Sequence, residues 1–224
     1  MNKTLAIAAI AGLSTIANAG TASIAITEAF VGLSGEDGTQ DWFEITNIGN
    51  SAIDTGLYIY DDDSADPASG GQLDSFILGA GQSMIFLISD DNAAVDDVTY
   101  GSAIAEFQSI WSYNGLIGLT NGGGALGQDG DFINLFLASD SSFVTMAETP
   151  GAISGGLATI DFVNGTALSM LGVNGAYESN AFFNDNLGLP NDSATLIGSP
   201  GTVPAPGALA LLGLGGLMGT RRRR

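Results

Sequence analysis

Asp41-Trp42-Phe43-Glu44-Ile45-Thr46-Asn47 is the stretch on which the fold turns. Aromatic and β-branched residues favour a strand here, with Glu44 held inside an apolar run. Working outward, Ser23 to Val31 alternates so that Ile24, Ile26 and Glu28 fall on one face of a preceding strand. Further strands are expected at Leu57–Tyr60, Ser75–Leu78, Ser83–Ser89, Phe132–Ala138, Phe143–Met146, Leu157–Val163 and Ala167–Leu171. Gly, Asn and Asp clusters bound them, including Asn-Gly pairs at Asn114, Asn121, Asn164 and Asn174. Many short strands separated by turn chemistry predict an all-β antiparallel sandwich or barrel. One helix is expected over Ala103–Trp111, where Ile104, Phe107 and Trp111 recur at helical spacing behind Ser102 as N-cap candidate. Such a helix would close one open end of the sandwich. The polar stretches Asp61–Gly71 and Gly122–Gly130 read as surface loops.

Charge narrows the function. The 224 residues contain 24 Asp+Glu, 5 Lys+Arg, no His and no Cys. Lys3 and Arg221, Arg222, Arg223 and Arg224 are the five bases, so no basic side chain lies between Thr4 and Thr220. A body without cations cannot neutralise phosphates, which excludes nucleic acid as a partner by the usual electrostatic route. A Ser-His-Asp triad, a Cys nucleophile, a disulfide and Cys/His metal ligation are excluded by composition. A hydrophobic content of 45% is too high for a disordered acidic tail.

Both ends read as processing segments. Lys3, the apolar run Leu5–Leu13 and Ala17-Asn18-Ala19 before Gly20 have the order of a secretory signal cleaved after Ala19. At the other end, Val203-Pro204-Ala205-Pro206 leads into an apolar run from Gly207 to Thr220 and then Arg221–Arg224. That run is shorter than the ~20 residues of a permanent membrane span. The arginines would hold this end at the cytoplasmic face. A Pro motif, an apolar stretch and an Arg cluster together resemble a PEP-CTERM sorting signal, with Pro204-Ala205-Pro206 standing where that family has Pro-Glu-Pro. The resemblance implies two processing partners, signal peptidase and an exosortase-type transpeptidase. It also implies a transient membrane attachment through the C-terminal segment. The expected division is a signal at 1–19, a folded domain at 20–201 and a sorting segment at 202–224.

The order of motifs between residues 22 and 201 resembles bacterial lamin-tail domains, which are Ig-like β-sandwiches. Ile26-Thr27-Glu28 matches the opening strand, and Trp42-Phe43-Glu44-Ile45-Thr46-Asn47 the strand of the form W-[IVF]-E-[LI]-x-N. Ile53-Asp54-Thr55-Gly56-Leu57 follows the next motif with Leu57 in place of its Trp. Leu78-Gly79-Ala80-Gly81-Gln82 matches a turn, Gly130-Asp131-Phe132-Ile133-Asn134-Leu135 a later strand, and Ser199-Pro200-Gly201 the closing tripeptide. By this resemblance Glu28, Trp42, Glu44, Asn47, Asp54, Gly130 and Asp131 are structural positions. Thr149-Pro150-Gly151 duplicates the closing tripeptide, so a domain ending at Gly151 is a rival division. Two further strands between Ala158 and Leu171 favour a single one. Nothing nuclear follows, because fold does not carry function.

Three chemistries deserve weighing. Glu28 and Glu44, each inside an apolar strand, are candidates for the paired carboxylates of glycoside hydrolysis, or else acceptors for backbone amides. The acidic groups Glu36/Asp37/Asp41, Asp61/Asp62/Asp63/Asp66, Asp90/Asp91/Asp96/Asp97 and Asp129/Asp131 offer hard oxygen ligands for Ca²⁺. Asp61, Asp63 and Asp66 begin like an EF-hand loop, without its Gly at position 6 or Glu at position 12. Tyr58 and Tyr60 share a strand face and could form an aromatic platform for sugars, whereas Trp42, Phe107 and Trp111 read as core. The expected function is an exported, non-catalytic module of the cell envelope or extracellular matrix, structural or adhesive, requiring no cofactor. The alternatives are a Ca²⁺-dependent binder of extracellular polysaccharide and, behind it, a carboxylate-based glycoside hydrolase. Envelope proteins or polysaccharide are the expected lasting partners.

Overall fold

The computed structural model describes residues 23–32, 41–88, 97–151, 157–163, 165–183 and 193–202. The expected signal with Ala17, Ala19 and Gly20 lies outside them, as do Val203–Pro206, Arg221–Arg224 and the acids Glu36, Asp37, Asp90, Asp91 and Asp96. In chain order the strands are β1 (Ile24–Phe30), β2 (Trp42–Asn47), β3 (Ile53–Asp54), β4 (Tyr58–Asp61), β5 (Gly71–Gln72), β6 (Ile77–Leu78) and β7 (Ser83–Leu87). After helix α1 (Asp97–Trp111) come β8 (Ile117–Leu119), β9 (Gly130–Leu137), β10 (Phe143–Pro150), β11 (Ile160–Asp161) and β12 (Ala167–Leu168). Four two-residue strands close the list: β13 (Tyr177–Glu178), β14 (Phe182–Phe183), β15 (Ser193–Ala194) and β16 (Ile197–Gly198).

A six-stranded sheet runs β12-β11-β1-β2-β7-β8 and a four-stranded sheet runs β10-β9-β4-β5. Pairing is antiparallel except between β7 and β8. The two sheets share a core that sets Ile24, Phe43, Ile45 and Phe86 against Tyr58, Tyr60, Ile133 and Leu135. The Phe43 and Tyr60 rings lie 5.2 Å apart across it. This is an all-β layered architecture, as expected.

Residues of β2 are buried throughout, because both faces of the central sheet are covered. Phe43 and Ile45 point into the sandwich, while Trp42 points outward into a second apolar cluster with Ile85, Leu87, Phe107 and Trp111. Trp42 meets Phe107 edge-on at 5.5 Å and Trp111 at 6.1 Å. Helix α1 therefore lies on the outer face of the six-stranded sheet, and not across an open end of the sandwich. It also begins at Asp97, so Ser102 sits inside it and is not its N-cap. Gly101, a poor helix former, masked the first turns in the sequence.

The alternation in β1 is broken. Ile26 pairs with Ile45 and Glu28 with Glu44, leaving Thr27 as the extra residue of a bulge. Ile24, Ile26 and Ala29 face the sandwich, whereas Glu28 turns to the outer face with Phe30. The expectation that Ile24, Ile26 and Glu28 share a face is thus corrected. Residues 157–202 continue the same structure: β11 pairs with β1, and β12 with β11.

Candidate functional site

The bulge sets two glutamates side by side on adjacent central strands, since Glu28 and Glu44 are register partners. Both are about 1% exposed. The segment Ser199-Pro200-Gly201 lies over them. Glu28 accepts the Ser199 N–H at 2.7 Å, the Ser199 hydroxyl at 3.1 Å and the Thr159 hydroxyl. Glu44 accepts the Gly201 N–H at 2.5 Å and the Thr27 hydroxyl at 2.6 Å. Thr46, Ser83 and Ser169 extend this hydroxyl network along the sheet. Gly201 fits because its φ is +77° and a Cβ there would lie 2.4 Å from the Tyr113 ring.

No basic group faces this pair; Asp161, Tyr113 and Tyr177 are the titratable groups that do. Burial, which disfavours the charged form, pushes Glu28 up to about 7. Burial and then the Glu28 charge push Glu44 up to about 8. Donated hydrogen bonds pull both back only in part. The open space beside the pair is about 10 Å³, whereas small-molecule sites are of order ~300 Å³ or more.

Other carboxylates are used in the same way. Asp41 accepts from the Gly32 and Leu126 amides, Asp54 from Gly56, Asp74 from Leu119, and Asp131 from Gly127 and Phe132. In a chain without Lys or Arg through its body, backbone N–H groups take the place of ion-pair partners. Asn47 has a related role: its amide donates to the Ser51 and Leu78 carbonyls at 2.8 and 2.9 Å and accepts from Gly49. Gly130 has φ +108°, and a Cβ there would come within 3.0 Å of the Gly151 nitrogen.

The loop after β4 does not assemble an ion site from Asp61, Asp63 and Asp66. Asp61 turns inward and accepts from the Ser64 hydroxyl at 2.7 Å, the Asp66 N–H at 2.6 Å and the Ser69 hydroxyl at 3.3 Å. Asp63 and Asp66 are exposed. Among the described residues no group of three or more acids is arranged to hold a metal ion. Tyr58 and Tyr60 do share a face, but it is the buried one, and Tyr60 donates to the Gly124 carbonyl. They form no sugar platform.

Two open clefts remain. One, of about 540 Å³, is lined by Asp54, Gln72, Asp74, Ser75 and Asn121. The other, of about 430 Å³, lies over the closing segment and is lined by Gln82, Tyr113, Asn114, Tyr177 and Pro200. Its lining is uncharged, with hydroxyls, amides and two aromatic rings. Sequence reasoning singled out Glu28 and Glu44 but missed Thr27, Thr159, Ser199 and Tyr113, which surround them. The alternating Ser and Thr at 27, 46, 83, 159 and 169 were the available signal.

No family model, no curated protein and no solved structure matches this chain. No helix among the described residues is long and apolar enough to cross a membrane.

Proposed function

We propose that this chain is an exported, non-catalytic module of the Ig-like, lamin-tail kind, routed to the cell envelope or extracellular matrix with a structural or adhesive role. The observation that carries the reading is the use made of Glu28 and Glu44. These are the acids best placed for paired carboxylate catalysis, and both are covered by Ser199–Gly201 and hydrogen-bonded to it. A hydrolase needs its two carboxyls open to a sugar, with room for the substrate between or beside them. The routing half of the reading rests on the two terminal segments, with Pro204-Ala205-Pro206 and Arg221–Arg224 as the sorting features.

Two experiments test these halves separately. Fractionation of cells expressing the chain should place it in the envelope or medium, with the C-terminal segment removed. Retention in the cytoplasm, or loss of sorting dependence on Arg221–Arg224, refutes the routing. For the body, hydrolysis of a polysaccharide panel should be undetectable. Activity that disappears in Glu44→Gln without a change in Tm would show the chain to be an enzyme.

A second reading, binding of extracellular polysaccharide, is favoured by one observation, the uncharged cleft bearing Tyr113 and Tyr177. Glycan-array binding with and without Ca²⁺ distinguishes it, with Tyr177→Ala as the variant that should lose the signal.

A further inference from the structure

The body of this protein is acidic almost everywhere except along one edge. From Thr149 to Tyr177 the sequence contains a single acid, Asp161, and its carboxylate is buried and accepts a hydrogen bond from Asn174 at 2.7 Å. The same stretch forms the β11–β12 edge of the six-stranded sheet. Ile160 pairs with Leu168, and the Ser169 N–H donates to the Thr159 carbonyl, a register that brings Leu157 alongside Met170 and Leu171. Leu157, Leu168, Met170 and Leu171 are all exposed, Leu171 at 63% and Met170 at 56%. An uncharged apolar edge on a body bearing 24 acids is out of keeping with the rest of its surface.

The described chain ends beside this edge. Met170 and Leu171 enter a tight turn closed by the Val173 N–H to the Met170 carbonyl and the Gly172 N–H to the Ala176 carbonyl. Gly175 in that turn abuts Thr202, whose Cγ2 would lie 2.4 Å from a Cβ placed there. Four residues, Val203–Pro206, separate Thr202 from the apolar run that starts at Gly207, and can span at most about 13 Å. The other stretches of any length outside the described residues, 33–40, 89–96 and 184–192, each contain acids, and 152–156 holds one large apolar residue. Gly207–Met218 is therefore the sole long apolar segment of this chain available to the edge. The four arginines that follow it are complementary in sign to the acids around the patch.

We propose that, while the C-terminal segment is attached, its apolar run covers the exposed edge formed by Leu157, Leu168, Met170 and Leu171. The segment would then have a second role besides sorting: it shields an interaction surface that becomes available once the segment is removed. The proposal does not depend on how or whether removal occurs, because its test uses the purified chain of residues 20–224 with no processing enzyme present.

Met170 is the built-in reporter, since thioether oxidation follows exposure. Peroxide oxidation of Met170 and Met84 is followed by mass spectrometry in the unaltered chain and in a Leu211→Asp, Leu212→Asp variant, whose body is unchanged. Met170 should oxidise at least about threefold faster in the variant, while fully buried Met84 stays slow in both. Equal Met170 rates in the two chains overturn the proposal. So does protection that disappears on dilution of the unaltered chain, because a second copy would then be the occupant.

Discussion

Replacing both buried glutamates by glutamine, Glu28→Gln with Glu44→Gln, removes two ionisable groups and leaves every neighbouring hydrogen bond with a partner. The remaining carbonyl oxygen of each side chain still accepts the Ser199 or Gly201 amide. The new NH₂ groups meet the Ser199 and Thr27 hydroxyls, which turn from donor to acceptor. What changes is the proton linkage. A carboxyl raised from 4.5 to about 7 or about 8 binds its proton more tightly in the folded chain than in the unfolded one. Stability from the pair is therefore fully present below about pH 4.5 and is lost as pH rises through the folded values. One raised unit corresponds to about 1.4 kcal/mol. Together the two groups should cost on the order of 5 kcal/mol between about pH 5 and pH 8.5. For a domain of this size that is a fall in Tm of roughly 10–20 °C. The window is unusually clean, because the chain has no His and ordinary carboxyls are already ionised above pH 5. Thermal denaturation followed by circular dichroism from pH 5 to pH 8.5 should show this slope in the unaltered protein and little of it in the double variant. The variant should also equal or exceed the unaltered protein in Tm at pH 8.5. A flat profile in the unaltered protein, or an undiminished slope in the variant, refutes the reasoning.

Truncation acts in the opposite sense to amidation. Glu44→Ala strands the Gly201 amide and leaves a cavity, so urea denaturation should register a loss of about 2–4 kcal/mol. Asn47→Ala removes three hydrogen bonds from a fully buried amide and leaves the Leu78 carbonyl without this donor, with a comparable loss of about 2–4 kcal/mol in the same assay. Gly130→Ala forces a side chain into a positive-φ position against the Gly151 backbone and should lower Tm, whereas Gly165→Ala, where nothing lies within 4 Å, should lower it less. Added NaCl should raise Tm by screening the uncompensated acids, and CaCl₂ at equal ionic strength should do no more than that; a larger Ca²⁺ effect would indicate a bound ion.

The core was legible in the sequence wherever periodicity and composition agreed. Strands β2, β7 and β9 are runs whose residues are buried from both sides or alternate cleanly, and their positions follow from local pattern alone. The bulge at Thr27 left no such mark, because Ile24 to Glu28 alternates through it without a Gly or Pro. Yet that one inserted residue decides that Glu28 joins Glu44 on the outer face. Tyr58 and Tyr60 show the converse: alternation correctly set them on one face, but only the opposing β9 strand determines that this face is the buried one. The partners of the acids were illegible for a different reason. Glu28 and Ser199 are 171 positions apart, and no local signal in either names the other. Acidic loops looked like ligand clusters in the sequence because oxygen-rich side chains that fold back onto amides have the same composition as those that hold a cation.

Consider a chain pulled from beyond Thr202. The first bonds to take the load are Gly201 to Glu44 and Ser199 to Glu28, which run straight to β2 and β1 at the middle of the six-stranded sheet. Neither strand is an edge, so the sheet cannot be unzipped one rung at a time from this end. Tension would instead be delivered to both central strands at once, and several bonds would have to yield together. A domain hung by its C-terminus in this way is mechanically anchored through its interior, with the two glutamates acting as the pins.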